Sequence, residues 1–391
     1  MIIPRQIGTK ILELSRVYPI ISITGPRQSG KTTLAKALFS SYAYANLENP
    51  DTRLAIEEDP RRFLLGHSKA GLIVDEAQKV PAVFSYLQQI VDESHEMGKF
   101  ILTGSQHFLL LEKITQSLAG RVAVCHLFPF DQSELRAGNH LADQLDQALL
   151  QGAYPALYDR GILPSDYFPS YIETYVERDV RSILNIVHLN LFERFLKLCA
   201  GRVGQLLNAS SLGNDLGVNY KTVQSWLSIL EASFIVFSLS PHHVNYNKRV
   251  IKQPKLYFYD TGLLCSLLGI HTKEQLDSHY LRGSIFESYV IAEYMKNRRH
   301  QGLPSNAYFW RDNKGNEIDL LLEEANCVKA IEIKAGETIS DDFFKGLKYF
   351  KELSAQSDDC FYLIYGGKKA QDRKHGKVLG WTEIAKISVT S

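Results

Sequence analysis

Cysteine is scarce in this sequence and shows no pairing. The five in 391 residues, Cys125, Cys199, Cys265, Cys327 and Cys360, are scattered, odd in number and form no C-x-x-C. That argues against a disulfide framework or a structural zinc and fits a reducing compartment, so a cytoplasmic protein is expected. No apolar run approaches the ~20 residues of a membrane span, and Met1-Ile2-Ile3-Pro4-Arg5 lacks the pattern of a signal peptide. No membrane partner is expected. Neither sign of charge is in excess: 44 Lys and Arg face 43 Asp and Glu, a net charge of +1. No global field announces a nucleic-acid partner, so any such surface is a local patch. Low-complexity tracts and internal repeats are also missing. What is left, 45% hydrophobic and 22% charged, is ordinary folded-domain material, long enough for two or three domains.

Against that plain background one motif stands out. Gly25-Pro26-Arg27-Gln28-Ser29-Gly30-Lys31-Thr32 spells G-x-x-x-x-G-K-T and follows the apolar run Ile20 to Ile23, which reads as a buried strand. This is the strand–loop–helix context of a phosphate-binding loop. Its glycines let backbone N–H groups turn inward around a β-phosphate, and the helix from about Lys31 to Phe39 points its positive end at the anion. Lys31 then reaches the β- and γ-phosphates, and the Thr32 hydroxyl takes a place on Mg²⁺. Leu72-Ile73-Val74-Asp75-Glu76 supports the reading: a buried parallel strand ends in two carboxylates. Asp75 is expected to hold Mg²⁺ through water, and Glu76 to polarise the attacking water as general base. The pair points to a hydrolysing ATPase rather than a passive nucleotide binder.

A third strand, Phe100 to Thr103, ends in Gly104-Ser105-Gln106. P-loop ATPases of the AAA+ kind place a polar residue after such a strand, between the carboxylates and the γ-phosphate; Ser105 is the first candidate and Thr103 the second. Ser117-Leu118-Ala119-Gly120-Arg121 sets an arginine before another apolar strand, Val122 to Leu127. Arg121 has two readings: stabilising the transferring phosphoryl group, in cis or in trans, or bridging carboxylates structurally. The trans role requires a homo-oligomer.

Beyond Phe130 the pattern changes. Asp131-Gln132-Ser133-Glu134 caps a helical region, and Tyr167 to Ile186 reads as an amphipathic helix, together resembling a small lid. Leu206 to Asn219 contains a helix ending at Gly217, and Tyr220 to Leu230 is a second, with Val223, Trp226, Leu227 and Leu230 at helical spacing. A short glycine-containing turn between two helices is the signature of a helix-turn-helix. Asn219, Tyr220, Lys221, Thr222, Gln224 and Ser225 fall where base contacts are made. Phe234 to Leu239 follows as a wing strand, with Lys248, Arg249, Lys252 and Lys255 as a nearby basic cluster. Such modules serve DNA binding or packing and dimerisation, and one lysine on the helix does not choose between them.

The last hundred residues add a second constellation. Gly315-Asn316-Glu317-Ile318-Asp319 and Val328 to Ala335 are both strand-like, and Glu332 and Lys334, two apart, share a face. Asp319 and Glu332 are placed to bind Mg²⁺ or Mn²⁺, with Lys334 positioning or deprotonating a water and Glu287, on a helix from Phe286 to Lys296, as a third carboxylate. An Asp followed by Glu-x-Lys resembles the PD-(D/E)xK nuclease superfamily. The helix, three strands, a helix from about Asp341 to Leu353 and a strand from Cys360 to Tyr365 give its α–β–β–β–α–β order. A fold of this kind serves cleavage or, without it, binding.

Taken together the chain resembles the prokaryotic ATPases that join an AAA domain of the AAA_14 type to a DUF4143 region. The resemblance rests on Gly25 to Thr33, Val74-Asp75-Glu76-Ala77-Gln78, Thr103-Gly104-Ser105, Leu118 to Arg121, Tyr175-Val176-Glu177-Arg178-Asp179, Glu317-Ile318-Asp319 and Glu332-Ile333-Lys334. Asn46-Leu47-Glu48 departs from the expected Leu-Asp, keeping the charge on a longer arm. The resemblance implies ATP and Mg²⁺ bound by Gly25, Pro26, Arg27, Gln28, Ser29, Gly30, Lys31, Thr32 and Thr33 with Asp75, a central winged helix and a nuclease-like C-terminal domain. The expected fold is therefore α/β: ATPase core 1–130, helical lid 131–188, winged helix 189–278 and a restriction-endonuclease-like α/β domain 279–391. Two functions compete. One is a DNA-directed ATPase. The other is a nucleotide-dependent switch binding a protein partner, its C-terminal fold an inactive scaffold. A signalling ATPase of the STAND sort shares the first motifs but needs a repeat sensor absent from this sequence.

Overall fold

The computed structural model describes residues 3–104, 118–176, 189–242, 252–325, 327–354 and 356–388. Five short strands, β1 (Ile20–Thr24), β2 (Ala43–Asn46), β3 (Leu72–Asp75), β4 (Phe100–Gly104) and β5 (Val122–His126), form a sheet in the order 2-3-4-1-5. Every adjacent pair is parallel. β1, β3 and β4 are buried along their whole length, as strands covered by helices on both faces must be. The connection leaving β1 passes over β4 and β3 to reach β2, whereas that leaving β4 returns to β5 on the other side of β1. The chain thus reverses direction across the sheet at the carboxyl end of β1, where open α/β sheets bind ligands.

The segment after β5 opens with a capping box, in which Asp131 accepts from the Glu134 N–H while Glu134 accepts from the Asp131 N–H. Helix Pro164–Tyr171 runs into a π-helical turn, Ile172–Val176; the rest of the expected helix to Ile186 lies outside the described residues. Helices Leu189–Ala200, Ala209–Leu216 and Tyr220–Ala232 follow. Gly217, at φ +72°, makes the turn between the last two, and the Asn208 and Asn219 side chains cap them. β6 (Val236–Leu239) pairs antiparallel with β7 (Lys255–Phe258). The expected wing strand is therefore shorter by two residues, since Phe234 sits at φ +57° in the turn that ends the helix.

The C-terminal sheet is mixed. β8 (Ala307–Arg311), β9 (Glu317–Glu323), β10 (Val328–Lys334), β11 (Phe361–Tyr365), β12 (Gln371–Arg373) and β13 (Gly376–Gly380) lie in the order 12-13-11-10-9-8. Only β10–β11 and β11–β13 are parallel. Helix Lys345–Ser354, led by a 3₁₀ turn at Asp341–Phe344, packs on β9 and β10. The edge strand β8 also joins the central segment through backbone bonds: Phe309 N–H donates to Ser240 O (3.1 Å) and His242 N–H to Phe309 O (2.7 Å).

Helix Arg282–His300 runs through the middle of the molecule, buried on nearly all sides despite its charged residues. Ile285, Phe286, Val290 and Ile291 join the large core shared by the central and C-terminal segments. Its polar residues find partners on the segment after β5. Glu293 accepts from the Gln132 N–H (2.6 Å), Lys296 pairs with Glu293 and donates to Phe130 O (2.8 Å), and His300 Nδ1 lies 2.7 Å from Asp131 Oδ2.

Breaking a buried pair from one side leaves an uncompensated charge, whereas removing both partners does not. Glu293→Leu is therefore expected to destabilise the chain by about 3–5 kcal/mol, and Glu293→Leu/Lys296→Met to recover most of that loss. Urea unfolding of the two variants checks this.

Candidate functional site

The loop after β1 is held open by its own backbone. Gly25 lies at φ +151°, where a Cβ would run into the Leu127 carbonyl oxygen, and Gly30 at φ +93° begins helix Lys31–Leu38. Gln28 also has positive φ, +60°. Pro26 and Ser29 are buried, Arg27, Gly30 and Thr32 half-buried, and Gln28 and Thr33 exposed. Lys31 is 7% exposed and folds over the loop, its Nζ donating to Gly25 O (3.0 Å) and Pro26 O (2.7 Å).

Asp75, at the end of β3, is where the motifs meet. Its Oδ2 accepts from the Thr32 hydroxyl (2.9 Å) and the Tyr44 hydroxyl (2.7 Å), and its Oδ1 from the Thr103 hydroxyl. Burial and then Asp75 itself push the Tyr44 phenol well above its ordinary range, so it stays a donor. Glu76 follows in the left-handed region, φ +56° and ψ +44°, a conformation that costs a non-glycine residue of order 1–3 kcal/mol and clusters at functional sites. It turns the carboxylate away from the strand, where Gln78 Nε2 donates to it (2.5 Å). Ser105 lies outside the described residues; Thr103, the second candidate, is the one seen touching Asp75.

Arg121 is not brought to this site. It precedes Val122, which pairs with Ile20, whereas the loop leaves β1 after Thr24 at the other end. Its Nε and Nη2 are 2.6 and 2.7 Å from the two carboxylate oxygens of Asp92. That is a structural pairing with one carboxylate rather than a bridge between two, and contact with a phosphate on the same subunit is not what this placement gives. Arg5, by contrast, reaches the loop without any motif to mark it. Its Nη1 donates to Ser29 O (2.8 Å), Nη2 to Phe128 O and Nε to Glu134 Oε1 (3.1 Å), over the Phe130 ring.

A second cluster lies between the central and C-terminal segments. Asp319 on β9 takes the Ile333 N–H (2.8 Å) and the Lys334 ammonium (3.0 Å) on Oδ2, and Lys334 also pairs with Glu332. Burial opposes it, but Lys334 and Lys255 hold the Asp319 carboxyl below its ordinary value. Burial and then the Asp319 charge push Glu332 well above it. Although burial works the other way, Asp319 and Glu332 raise Lys334 above its ordinary value. Both carboxylates thus favour the ammonium form of Lys334. The expected third carboxylate, Glu287, does approach Asp319, but in a group with Glu317 rather than Glu332: oxygens of Glu287, Glu317 and Asp319 lie within 4.8 Å of one another. Glu332 instead abuts Gly346, where any Cβ would strike its Oε1.

Lys255 corrects another expectation. The sequence places it in a basic cluster with Lys248, Arg249 and Lys252, near the helix-turn-helix. Lys248 and Arg249 lie outside the described residues and Lys252 is exposed, but Lys255 is 3% exposed and bound to Glu287 and Glu317. Asn219, Tyr220, Lys221 and Gln224 stand on the outer face of helix Tyr220–Ala232, with Thr222 and Ser225 half-buried.

The AAA domain family matches residues 17–136, a domain of unknown function, DUF8612, matches 142–274, and a second, DUF4143, matches 282–384. The uncharacterized protein Rv2008c of Mycobacterium tuberculosis is 33% identical over 328 residues, covering 82% of this chain and 71% of its own. The same figures hold for the uncharacterized protein Mb2031c of Mycobacterium bovis. Among solved structures, the Walker-type ATPase PABY2304 of Pyrococcus abyssi is similar at 16% identity, over 68% of this chain and 96% of that one, with a TM-score of 0.47. The RuvB Holliday junction branch migration motor of Thermotoga maritima is similar at 15% identity, over 60% and 89%, with a TM-score of 0.28.

Because burial and then the Asp319 charge raise Glu332 above its ordinary value of 4.5 in the folded chain, it subtracts stability as pH rises above about 4.5. Glu332→Gln is expected to raise the melting temperature at pH 8, and the gain to shrink as pH falls toward 4.5. Thermal unfolding across pH checks this.

Proposed function

The chain belongs to the family of the mycobacterial proteins Rv2008c and Mb2031c and carries an AAA-type P-loop ATPase domain; from that premise we propose that it is a Mg²⁺-dependent ATPase that acts on DNA. The observation that carries the hydrolytic part is the junction at Asp75, where the Thr32 hydroxyl and the Asp75 carboxylate stand 2.9 Å apart with Glu76 beside them. These are oxygen donors of the kind Mg²⁺ prefers, and Thr32 and Asp75 are the residues to hold it. The ion supplies charge neutralisation at the phosphates. The rest is done by the chain. Backbone N–H groups of the loop cradle the β-phosphate. Lys31 exchanges the Gly25 and Pro26 carbonyls for phosphate oxygens. Glu76 takes a proton from the attacking water, and Thr103 holds Asp75 in place, with Ser105 kept as the γ-phosphate candidate. A phosphate-facing Arg121 requires a second copy of the chain and release of Asp92.

Two features support DNA as the partner: the open N-terminal face of helix Tyr220–Ala232, where Tyr220 is 49% exposed, and the carboxylate–lysine group at Asp319, Glu332 and Lys334. A second reading, a nucleotide-dependent switch with an inactive C-terminal fold, is favoured by the ion pairing of those same carboxylates.

Lys31→Ala is expected to remove most nucleotide affinity, and Glu76→Gln to preserve binding while lowering turnover about 10²–10⁴-fold. Nucleotide titration and phosphate release measure both, and normal hydrolysis by Glu76→Gln would overturn the general-base assignment. Plasmid and single-stranded DNA, incubated with Mg²⁺ or Mn²⁺ and with or without ATP, decide the rest. Cleavage lost in Lys334→Ala supports action on DNA through this domain. No cleavage under any condition, with ATP hydrolysis intact, leaves the switch.

A further inference from the structure

Lysine is almost never fully buried unless it is paired, and Lys255 is buried at the boundary of two segments. It sits on β7 of the central segment, yet its ammonium lies inside the C-terminal carboxylate group, 3.0 Å from Glu287 Oε1 and bound also to Glu317. Tyr257, two residues on and so on the same face of β7, donates its hydroxyl to Glu287. Gly204 closes the approach from the same side: a Cβ there would stand 3.4 Å from Glu287 Oε2. The central segment therefore covers these carboxylates and inserts a charge among them.

We propose that Lys255 is the resident cation of the Glu287–Glu317–Asp319 group, and that the group takes a divalent metal only when β7 draws Lys255 out. This rests on the reading of Glu287 and Asp319 as the C-terminal metal site. Oxygens within 4.8 Å of one another are spaced for a divalent cation with ligands at about 2.0–2.6 Å. An ammonium meets the same oxygens with one charge and three donors. The local balance is tight. Three carboxylates, Glu287, Glu317 and Asp319, face Lys255, Lys334 and Arg311, the last 3.2 Å from Glu317. With Lys255 present a divalent ion adds surplus positive charge and has to displace a side chain. Without it, the group carries surplus negative charge in a buried place, where charge is costly unless compensated. Lysine and metal exclude each other.

The position of β7 then sets the state of the C-terminal group. β7 is tied to β6, to residues 204–207 by hydrogen bonds from the Gly204, Leu207 and Leu256 N–H groups, and to Ser288 of the helix that bears Glu287, while β6 packs on helix Tyr220–Ala232.

The test uses the full chain, Mn²⁺ alone as probe, and no DNA. Lys255→Met is expected to bind Mn²⁺ at least about tenfold more tightly than the native chain, a difference of about 1.4 kcal/mol, read by electron paramagnetic resonance. The gain should vanish in Lys255→Met/Asp319→Asn. Where Lys255→Met folds poorly, Mn²⁺ should restore its melting transition in a dose-dependent way and leave that of the native chain unchanged. Native binding as tight as that of the variant, and abolished by Asp319→Asn, would overturn the proposal, as would a Lys255→Met chain that neither gains affinity nor is restored. Metal rescue without DNA cleavage by any form would retain the lysine–metal exclusion and remove the nuclease reading, so the two fail separately.

Discussion

A buried charge has to meet its partner inside the fold, and helix Arg282–His300 imposes that condition on the whole molecule. It carries Glu287, Glu293, Lys296 and His300 through the interior, and none of the four is satisfied by the helix alone. Glu287 depends on Lys255 and Tyr257 from the central segment. Glu293, Lys296 and His300 depend on Phe130, Asp131 and Gln132 from the segment that leaves the parallel sheet. Apolar faces tolerate sliding; these contacts do not, because each is directional. Three regions of sequence are thereby fixed in one mutual arrangement by a helix belonging to the last.

The same logic reaches the phosphate loop. Glu134, one side of the capping box, also receives Arg5, and Arg5 holds the Ser29 carbonyl. His300 lies 2.7 Å from Asp131, the other side of that box. A continuous run of polar contacts thus joins the loop that would hold a triphosphate to the C-terminal end of the helix whose other end bears Glu287. At Asp75 three hydroxyls, from β2, β4 and the loop helix, converge on one carboxylate. Each strand end reports its position to the same atom pair.

Chemistry written in contiguous residues was legible; chemistry assembled across the chain was not. Gly25 to Thr32 and Asp75-Glu76 follow from what a phosphate demands of backbone and charge, and the structure sets them side by side. The turn at Gly217 was equally readable, because only a left-handed residue continues there. Arg5 and Tyr44 carry no local signal; they matter through partners 24 and 31 residues away. Glu317 was within reach, since strand alternation alone places it on the face of Asp319. Lys255 was misplaced for a physical reason: a strand's period says which residues share a face but not whether another segment covers it. Helix Arg282–His300 was expected over Phe286 to Lys296, but the burial of Glu293, Lys296 and His300 was not legible, because their partners at Phe130, Asp131 and Gln132 lie far off in the sequence.

The backbone bonds between β8 and Ser240–His242 have a further consequence, for heredity rather than chemistry. The matches to DUF8612 and DUF4143 end and begin at 274 and 282, inviting the view of two interchangeable parts. Yet the edge of the second sheet is completed by Ser240–His242, from within the first part. A gene fusion that exchanged either part alone would expose a bare strand edge, a template for aggregation. The seam visible in the sequence is not a seam in the fold.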